Sequence, residues 1–224
     1  LEEDIQNCVE FLKSLEKFKC KTEFNNFPHA SAACLSGKEI ESQLNTRLDQ
    51  LRQVDDDELN SYLDEHLEKV LSQMLARAHD IWPDQGFANP LDRKFQILSP
   101  SDFGFHNVIK KNKKLFFFDF EYAGMDDPVK LISDFICQPD YQLSKNQSSF
   151  FYKSILKIFP KKHKIEKRLK AVIYIHRIKW CCVILSEILS KKYFERRKFA
   201  RSRVNIRKCL DKAKKYYNQY LKKI

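Results

Sequence analysis

Metal-binding cysteine motifs are missing from this sequence. Its seven cysteines show no Cys-x-x-Cys spacing, and none of its six histidines lies at zinc-ligand spacing from a cysteine. We therefore expect no zinc site. An odd number of cysteines without disulfide-like spacing instead suggests reduced thiols and a cytoplasmic protein.

Long apolar runs are also missing. The most apolar window, residues 171–189, contains His176, Arg177, Lys179 and Glu187. Charged side chains at these positions favour a buried amphipathic helix over a membrane span. No cationic segment followed by an apolar core opens the chain, and we find neither an internal repeat nor a low-complexity linker.

The composition is that of a folded protein with a basic surface. With 43% hydrophobic and 13% aromatic residues, a chain of 224 residues can bury a sizeable core. Its 41 basic and 30 acidic residues give a formal charge of +11. This charge favours anionic partners such as nucleotide phosphates, nucleic acid or an anionic membrane surface, although a lysine-rich surface bias explains it equally well.

Apolar periodicity predicts helices at both ends of the chain and short strands in its centre. The fold class is therefore α+β and predominantly α-helical. We expect a loop at 21–35, a strand at 95–98, and a helix beginning at Pro128. The predicted helices cover 1–20, a segment from about 37, a third after the acidic run 55–58, and then about 146–159, 165–190 and 203–223.

Glycine is scarce, and its positions point to the centre of the chain. Two of the four glycines fall in this stretch: Gly104 lies between Asp102 and Asp119, and Gly124 follows Asp119 closely. Residues 107–119 read as a strand, a polar turn and a second strand, so the hairpin should return Asp119 to the neighbourhood of Asn107.

Asp102, Asn107 and Asp119 together suit phosphoryl transfer. This chemistry needs a group that positions the attacking hydroxyl and oxygen ligands that hold Mg²⁺ on the nucleotide phosphates. Asp102 can accept the hydroxyl's hydrogen bond, while Asn107 and Asp119 can bind the metal. Either short piece alone would be read as turn formers or a strand end, but their combination favours the catalytic interpretation.

The same residues resemble a known family. Asp102-x-x-x-x-Asn107 followed by 118–124, Phe-Asp-Phe-Glu-Tyr-Ala-Gly, resembles the aminoglycoside phosphotransferase and choline kinase group of small-molecule kinases. This group has the protein-kinase-like fold. The resemblance implies that Asp102 is catalytic, that Asn107 and Asp119 bind Mg²⁺, that ATP is the cosubstrate, and that Glu121 is a possible auxiliary group.

The sequence departs from that family in its catalytic loop. Pro100-Ser101-Asp102 stands where the family usually has His-Gly-Asp or His-Asn-Asp, whose histidine braces the loop. The family also carries a further aspartate downstream that ties the site to the fold. Asp127 and Asp134 are both candidates for that position.

The family's nucleotide lobe has no counterpart here. No glycine precedes Gly37, and residues 1–20 read as helix, so we expect the chain to be the C-terminal lobe of a longer protein and a poor kinase alone. We divide it into a helical part at 1–94, the catalytic loop and hairpin at 95–127, and a helical subdomain at 128–224.

The acceptor is not encoded in a motif, so an aminoglycoside, an amino alcohol and a sugar-like compound all remain open. Asp126, Asp134 and Trp180 could bind a cationic or polyhydroxylated acceptor, although Trp180 also reads as a core residue. A non-catalytic binding protein with the same fold is the main alternative.

A third alternative is nucleic-acid binding through a basic run with interleaved aromatic residues at 191–208. We do not favour it, because no nucleic-acid module signature accompanies the run.

Overall fold

The chain folds into a mostly helical structure with small sheets, as predicted. The computed structural model describes residues 2–19, 26–82, 86–159, 164–189, 202–222 and 224. The α-helices are α1 (Glu2–Lys19), α2 (Gly37–Arg52), α3 (Asp57–Tyr62), α4 (Lys69–Ile81), α5 (Pro128–Cys137), α6 (Lys145–Ile158), α7 (Ile165–Ser186) and α8 (Ser202–Tyr220).

Four short strands form two separate antiparallel pairs. The strands are β1 (Ile97–Ser99), β2 (Val108–Lys111), β3 (Lys114–Phe117) and β4 (Gly124–Asp126). β1 pairs with β4, and β2 with β3. The second pair is the predicted hairpin, and Asn112 and Lys113 form its turn with φ of 51° and 63°. Two successive positive φ angles are typical of a two-residue turn whose twist matches that of the strands.

The described residues group into two compact units, each built from two stretches of the chain. Unit 1 comprises Leu1–Ser36 and Pro83–Leu169, and unit 2 comprises Gly37–Trp82 and Lys170–Ile224. Unit 1 contains both strand pairs and the predicted catalytic residues. The sequence-based division at residues 94 and 127 stays a prediction.

Stacked phenylalanine rings run through unit 1, and we call them the aromatic column. Phe11 of α1 stacks on Phe117 of β3 at 4.2 Å between ring centroids, and Phe103 lies 5.5 Å from Phe117. Phe103 also stacks on Phe135 of α5 at 5.6 Å, and Phe135 stacks on Phe151 of α6 at 4.0 Å. The column therefore joins three helices, the hairpin and the residue after Asp102.

In unit 2 the helix predicted after the acidic run is divided into three parts. α3 is followed by a π-helix at Leu63–Glu68 and then by α4. Leu59, Leu63 and Leu67 recur every four residues and are all buried. Such spacing drifts by about 40° per turn in a 3.6-residue helix, and a wider π turn offsets this drift.

Within the described residues, no helix combines the length and hydrophobicity needed to cross a membrane.

The six described cysteines are buried and form no disulfide, while Cys20 lies outside the described residues. Burial raises the pKa of the Cys8 thiol to about 12, which keeps it protonated and unreactive.

Helix α5 begins at Pro128, as predicted, and its N-cap is Asp127. The Asp127 side chain accepts a hydrogen bond from the Val129 backbone N–H at 2.7 Å through Oδ1. Its other oxygen, Oδ2, forms an ion pair with Nη1 of Arg168 near the start of α7, and both side chains are only 4% exposed. Asp127 thus fastens α5 to α7 within unit 1.

Replacing Asp127 with Ala should lower the free energy of unfolding by about 3–5 kcal/mol, because the buried ion pair with Arg168 and the N-cap of α5 would both be lost. Ser144→Ala is the matched control, since Ser144 caps α6 in the same unit without an ion pair. Loss of this cap alone should cost about 0.5–2 kcal/mol. Urea denaturation of both variants would measure the difference. Equal losses would contradict an added cost of breaking the Asp127–Arg168 ion pair.

Candidate active site

Asp102 lies in a tight bend directly after β1. Ser101 has φ of 68°, a left-handed conformation that only surrounding contacts can maintain in a non-glycine residue. Its N–H donates to Ser99 Oγ at 3.0 Å, and its hydroxyl donates to the Ser31 carbonyl at 3.2 Å. These bonds turn the Asp102 side chain outward, where it is 51% exposed.

Asn107 is held against Asp102. It ends a 3₁₀ turn at Phe105–Asn107, and its Nδ2 donates to the Asp102 backbone carbonyl at 2.9 Å. The same nitrogen lies 3.5 Å from Asp102 Oδ2. The four residues between Asp102 and Asn107 therefore form a closed loop. Oδ1 of Asn107 points away from these contacts, because the amide nitrogen makes them.

The hairpin returns the chain to this loop. The Phe118 N–H donates to the Asn107 carbonyl at 3.2 Å, directly beyond the strand pairing of Val108 with Phe117. Asp119 is the next residue and has a left-handed φ of 64°. The Asp119 side chain is exposed, and its backbone directly follows Phe118, which is hydrogen-bonded to Asn107.

His106 is a residue of this site that the sequence analysis did not identify. Its Nε2 lies 3.0 Å from Asp102 Oδ1, and its Nδ1 lies 3.2 Å from Gln138 Nε2. The bond between His106 and Asp102 lowers the pKa of Asp102 and raises that of His106. The available signal was a histidine directly before Asn107, but the partner Gln138 lies 32 residues away in sequence.

Most of the other predicted site residues have partners of their own. Asp126 is fully buried and accepts hydrogen bonds from the Cys34 and Asp127 backbone N–H groups at 3.1 and 2.8 Å. Lys130 Nζ lies 3.1 Å from Asp126 Oδ2 and 3.3 Å from Asp134 Oδ2. Burial alone would lower the pKa of Lys130, but the two carboxylates outweigh burial and raise it.

Glu121 is exposed beside the hairpin, and a hydrogen bond to it raises the pKa of Tyr122. Trp180 belongs to unit 2, where its side chain is 9% exposed and the Lys179 ammonium lies 5.6 Å from its ring centroid. A substrate role for Asp126, Asp134 or Trp180 stays a prediction, as does the auxiliary role of Glu121.

Among the described residues, no group of three or more His, Cys, Asp or Glu side chains could hold a metal ion. The predicted Mg²⁺ ligands are an aspartate and an asparagine, which form no such group. Most of the basic run at 191–208, with its three aromatic residues, lies outside the described residues. Its nucleic-acid role therefore stays a prediction.

The comparisons with known proteins bear on the fold. No family model matches the sequence, and no curated protein sequence matches it. Two solved structures share the architecture across 96% of this chain. A choline/ethanolamine kinase family protein from Mesorhizobium loti has a TM-score of 0.54 at 15% identity. A choline kinase from Cryptosporidium parvum Iowa II has a TM-score of 0.50 at 14% identity.

These likenesses show a choline kinase-like fold, which agrees with the resemblance drawn from the residues. The chain spans 64% and 66% of the lengths of the two solved chains, which is less than two thirds of either.

The aromatic column predicts a large cost for removing its central ring. Phe103→Ala should lower the free energy of unfolding by about 3–5 kcal/mol, because Phe103 is 4% exposed and packs between Phe117 and Phe135. Phe116→Ala removes the same atoms from a side chain of the hairpin that is 53% exposed and should change it by about 0.5 kcal/mol or less. Chemical denaturation checks both, and a small effect at Phe103 would refute the central position of its ring.

Proposed function

We propose that this chain carries the phosphoryl-transfer centre of a small-molecule kinase. The observation that carries the proposal is the 2.9 Å hydrogen bond from Asn107 Nδ2 to the Asp102 carbonyl. It links the predicted catalytic residue to a predicted metal ligand within one closed loop. The choline kinase-like fold supports the same class of reaction.

Asp102 would act on the acceptor hydroxyl. Its exposed carboxylate accepts the hydroxyl's hydrogen bond, and the hydrogen bond from His106 favours the charged form that this role requires. As the acceptor oxygen bonds to the γ-phosphorus of ATP, the bond from that phosphorus to the β,γ-bridging oxygen breaks. The hydroxyl proton passes to Asp102, and ADP leaves.

The residues present fit Mg²⁺. Asp119 offers an exposed carboxylate. Asn107 can offer its Oδ1 to the metal, because its amide nitrogen makes the hydrogen bond to Asp102. Two oxygen ligands suffice for a cation that takes its remaining ligands from phosphates and water. When bound, Mg²⁺ would neutralise negative charge on the transferring phosphoryl group.

The acceptor class that we test first is an amino alcohol. The two solved structures of similar fold are described as a choline/ethanolamine kinase family protein and a choline kinase. An aminoglycoside and a sugar belong in the same assay panel, because the sequence motif is shared by the wider group.

Asp102→Asn in the full-length protein should reduce kcat for acceptor-dependent ATP consumption by about 10²–10⁴-fold, because the amide cannot accept the hydroxyl proton. The assay measures ADP formation with choline, ethanolamine, an aminoglycoside and a sugar. Asp49→Asn makes the same chemical change at an exposed position of α2 and should leave kcat unchanged.

An Asp102→Asn protein as active as the wild type would exclude Asp102 as the proton acceptor. Absence of acceptor-dependent ADP formation by the wild type across the whole panel would favour the non-catalytic binding protein instead.

Asp119→Asn should raise the Mg²⁺ concentration that gives half-maximal activity by at least about tenfold. The variant loses a negatively charged ligand. Even the loss of a group that only hydrogen-bonds to a metal ligand typically costs about 10–100-fold in metal affinity. Magnesium titration of the same assay checks this, with Asp49→Asn again as the control. An unchanged magnesium dependence would remove Asp119 from the metal site.

A further inference from the structure

His106 bridges a buried amide and an exposed carboxylate. Its Nδ1 lies 3.2 Å from Gln138 Nε2, and its Nε2 lies 3.0 Å from Asp102 Oδ1. Gln138 is 5% exposed, whereas the Asp102 side chain is 51% exposed. The imidazole therefore connects the interior of unit 1 to the carboxylate that would face the acceptor.

The hydrogen bonds of Gln138 determine which ring nitrogen of a neutral His106 carries the proton. The Asp140 backbone N–H donates to Gln138 Oε1 at 3.2 Å, so the amide nitrogen is the atom that faces the ring. An amide nitrogen can only donate, and His106 Nδ1 must then accept. The proton of the neutral ring accordingly lies on Nε2 and is donated to Asp102 Oδ1.

The backbone near His106 leaves room for the imidazole ring only because residue 104 is glycine. A Cβ at Gly104 would lie 2.7 Å from His106 Cε1 and Nδ1 and 2.8 Å from the Tyr141 hydroxyl oxygen. Tyr141 is itself held by donation of its hydroxyl to the Phe135 carbonyl at 3.1 Å. The ring thus fills the space that a side chain at position 104 would occupy.

We propose that His106, held as its Nε2–H tautomer by Gln138, is a positioning residue that binds Asp102 Oδ1 and leaves Oδ2 for the acceptor hydroxyl. The proposal rests on the phosphotransferase function proposed above. It assigns to His106 the bracing of the loop that the usual family histidine performs before the catalytic aspartate, at a position where this chain has Pro100 and Ser101.

Nitrogen-15 NMR of the full-length protein tests the tautomer without requiring activity. At a pH where the ring is neutral, His106 should show a protonated, pyrrole-type Nε2 and an unprotonated, pyridine-type Nδ1. His106→Asn identifies the signal of this ring among those of the other histidines. Gln138→Glu replaces the donor with an acceptor, so carboxylates would face both ring nitrogens, and Nδ1 should then carry a proton. A wild-type ring protonated at Nδ1 would overturn the assignment.

Kinetics test the positioning role. His106→Phe keeps a ring without a donor and should lower kcat by about 10–100-fold, with KM for the acceptor changed by less than about twofold, because a misplaced catalytic group costs rate more than binding. His106→Gln restores an N–H donor and should recover at least about tenfold in kcat. His66→Asn, at an exposed position in unit 2, should leave kcat unchanged.

The outcomes separate this inference from the function on which it rests. If Asp102→Asn loses activity but His106→Phe does not, His106 is not a positioning residue and the phosphotransferase proposal stands. If Asp102→Asn is fully active, or the wild type shows no phosphotransfer, both the catalytic role of Asp102 and the positioning role fail. Failure of His106→Gln to recover activity would also count against the positioning role.

Discussion

Stacking of the aromatic column is the contact on which the candidate site depends. Asp102 is followed directly by Phe103, and Asp119 comes two residues after Phe117, whose ring lies 5.5 Å from that of Phe103. Phe11 packs against both rings, at 5.8 and 4.2 Å. Two exposed carboxylates are thereby attached to one set of stacked rings, of which Phe103 is buried. The stacking fixes their backbones while leaving their side chains in water.

A buried set of charges supports the same region from β4. Gly124 approaches the backbone of His29 and Ala30 so closely that a Cβ there would lie 2.3 Å from the Ala30 nitrogen. Directly after this contact, Asp126 pairs with Lys130 and Asp127 with Arg168. Buried ion pairs add little net stability, but each unpaired member would be costly, so these pairs strongly disfavour any other arrangement of β4 and α5.

The sequence predicted the local features of the fold well. The hairpin, the start of α5 at Pro128 and the helices around the centre follow from turn residues and apolar periodicity within short windows. It did not predict the pairing of β1 with β4, the π-helix, or the bridge from His106 to Gln138. The strand pairing and the bridge depend on contacts between residues distant in sequence, and the π-helix depends on a small change in helical pitch. Such contacts and such a change leave no periodic pattern in the sequence. The sequence also did not predict the buried pairing of Asp126 with Lys130. An acidic residue after a metal motif reads equally well as a ligand and as a member of a buried ion pair.

The site also contains backbone strain that the surrounding contacts must offset. Ser101 and Asp119 both adopt left-handed conformations, each costing on the order of 1–3 kcal/mol in a non-glycine residue. Ser101 is held by hydrogen bonds to Ser99 and Ser31. Asp119 lies between Phe118, whose amide is bonded to Asn107, and Phe120, whose ring stacks on Phe11 at 5.9 Å. Hydrogen bonds and the ring contact of Phe120 maintain these two conformations, at the residue before the proposed proton acceptor and at the proposed metal ligand. Such pre-organisation suits a reaction that depends on the placement of charges.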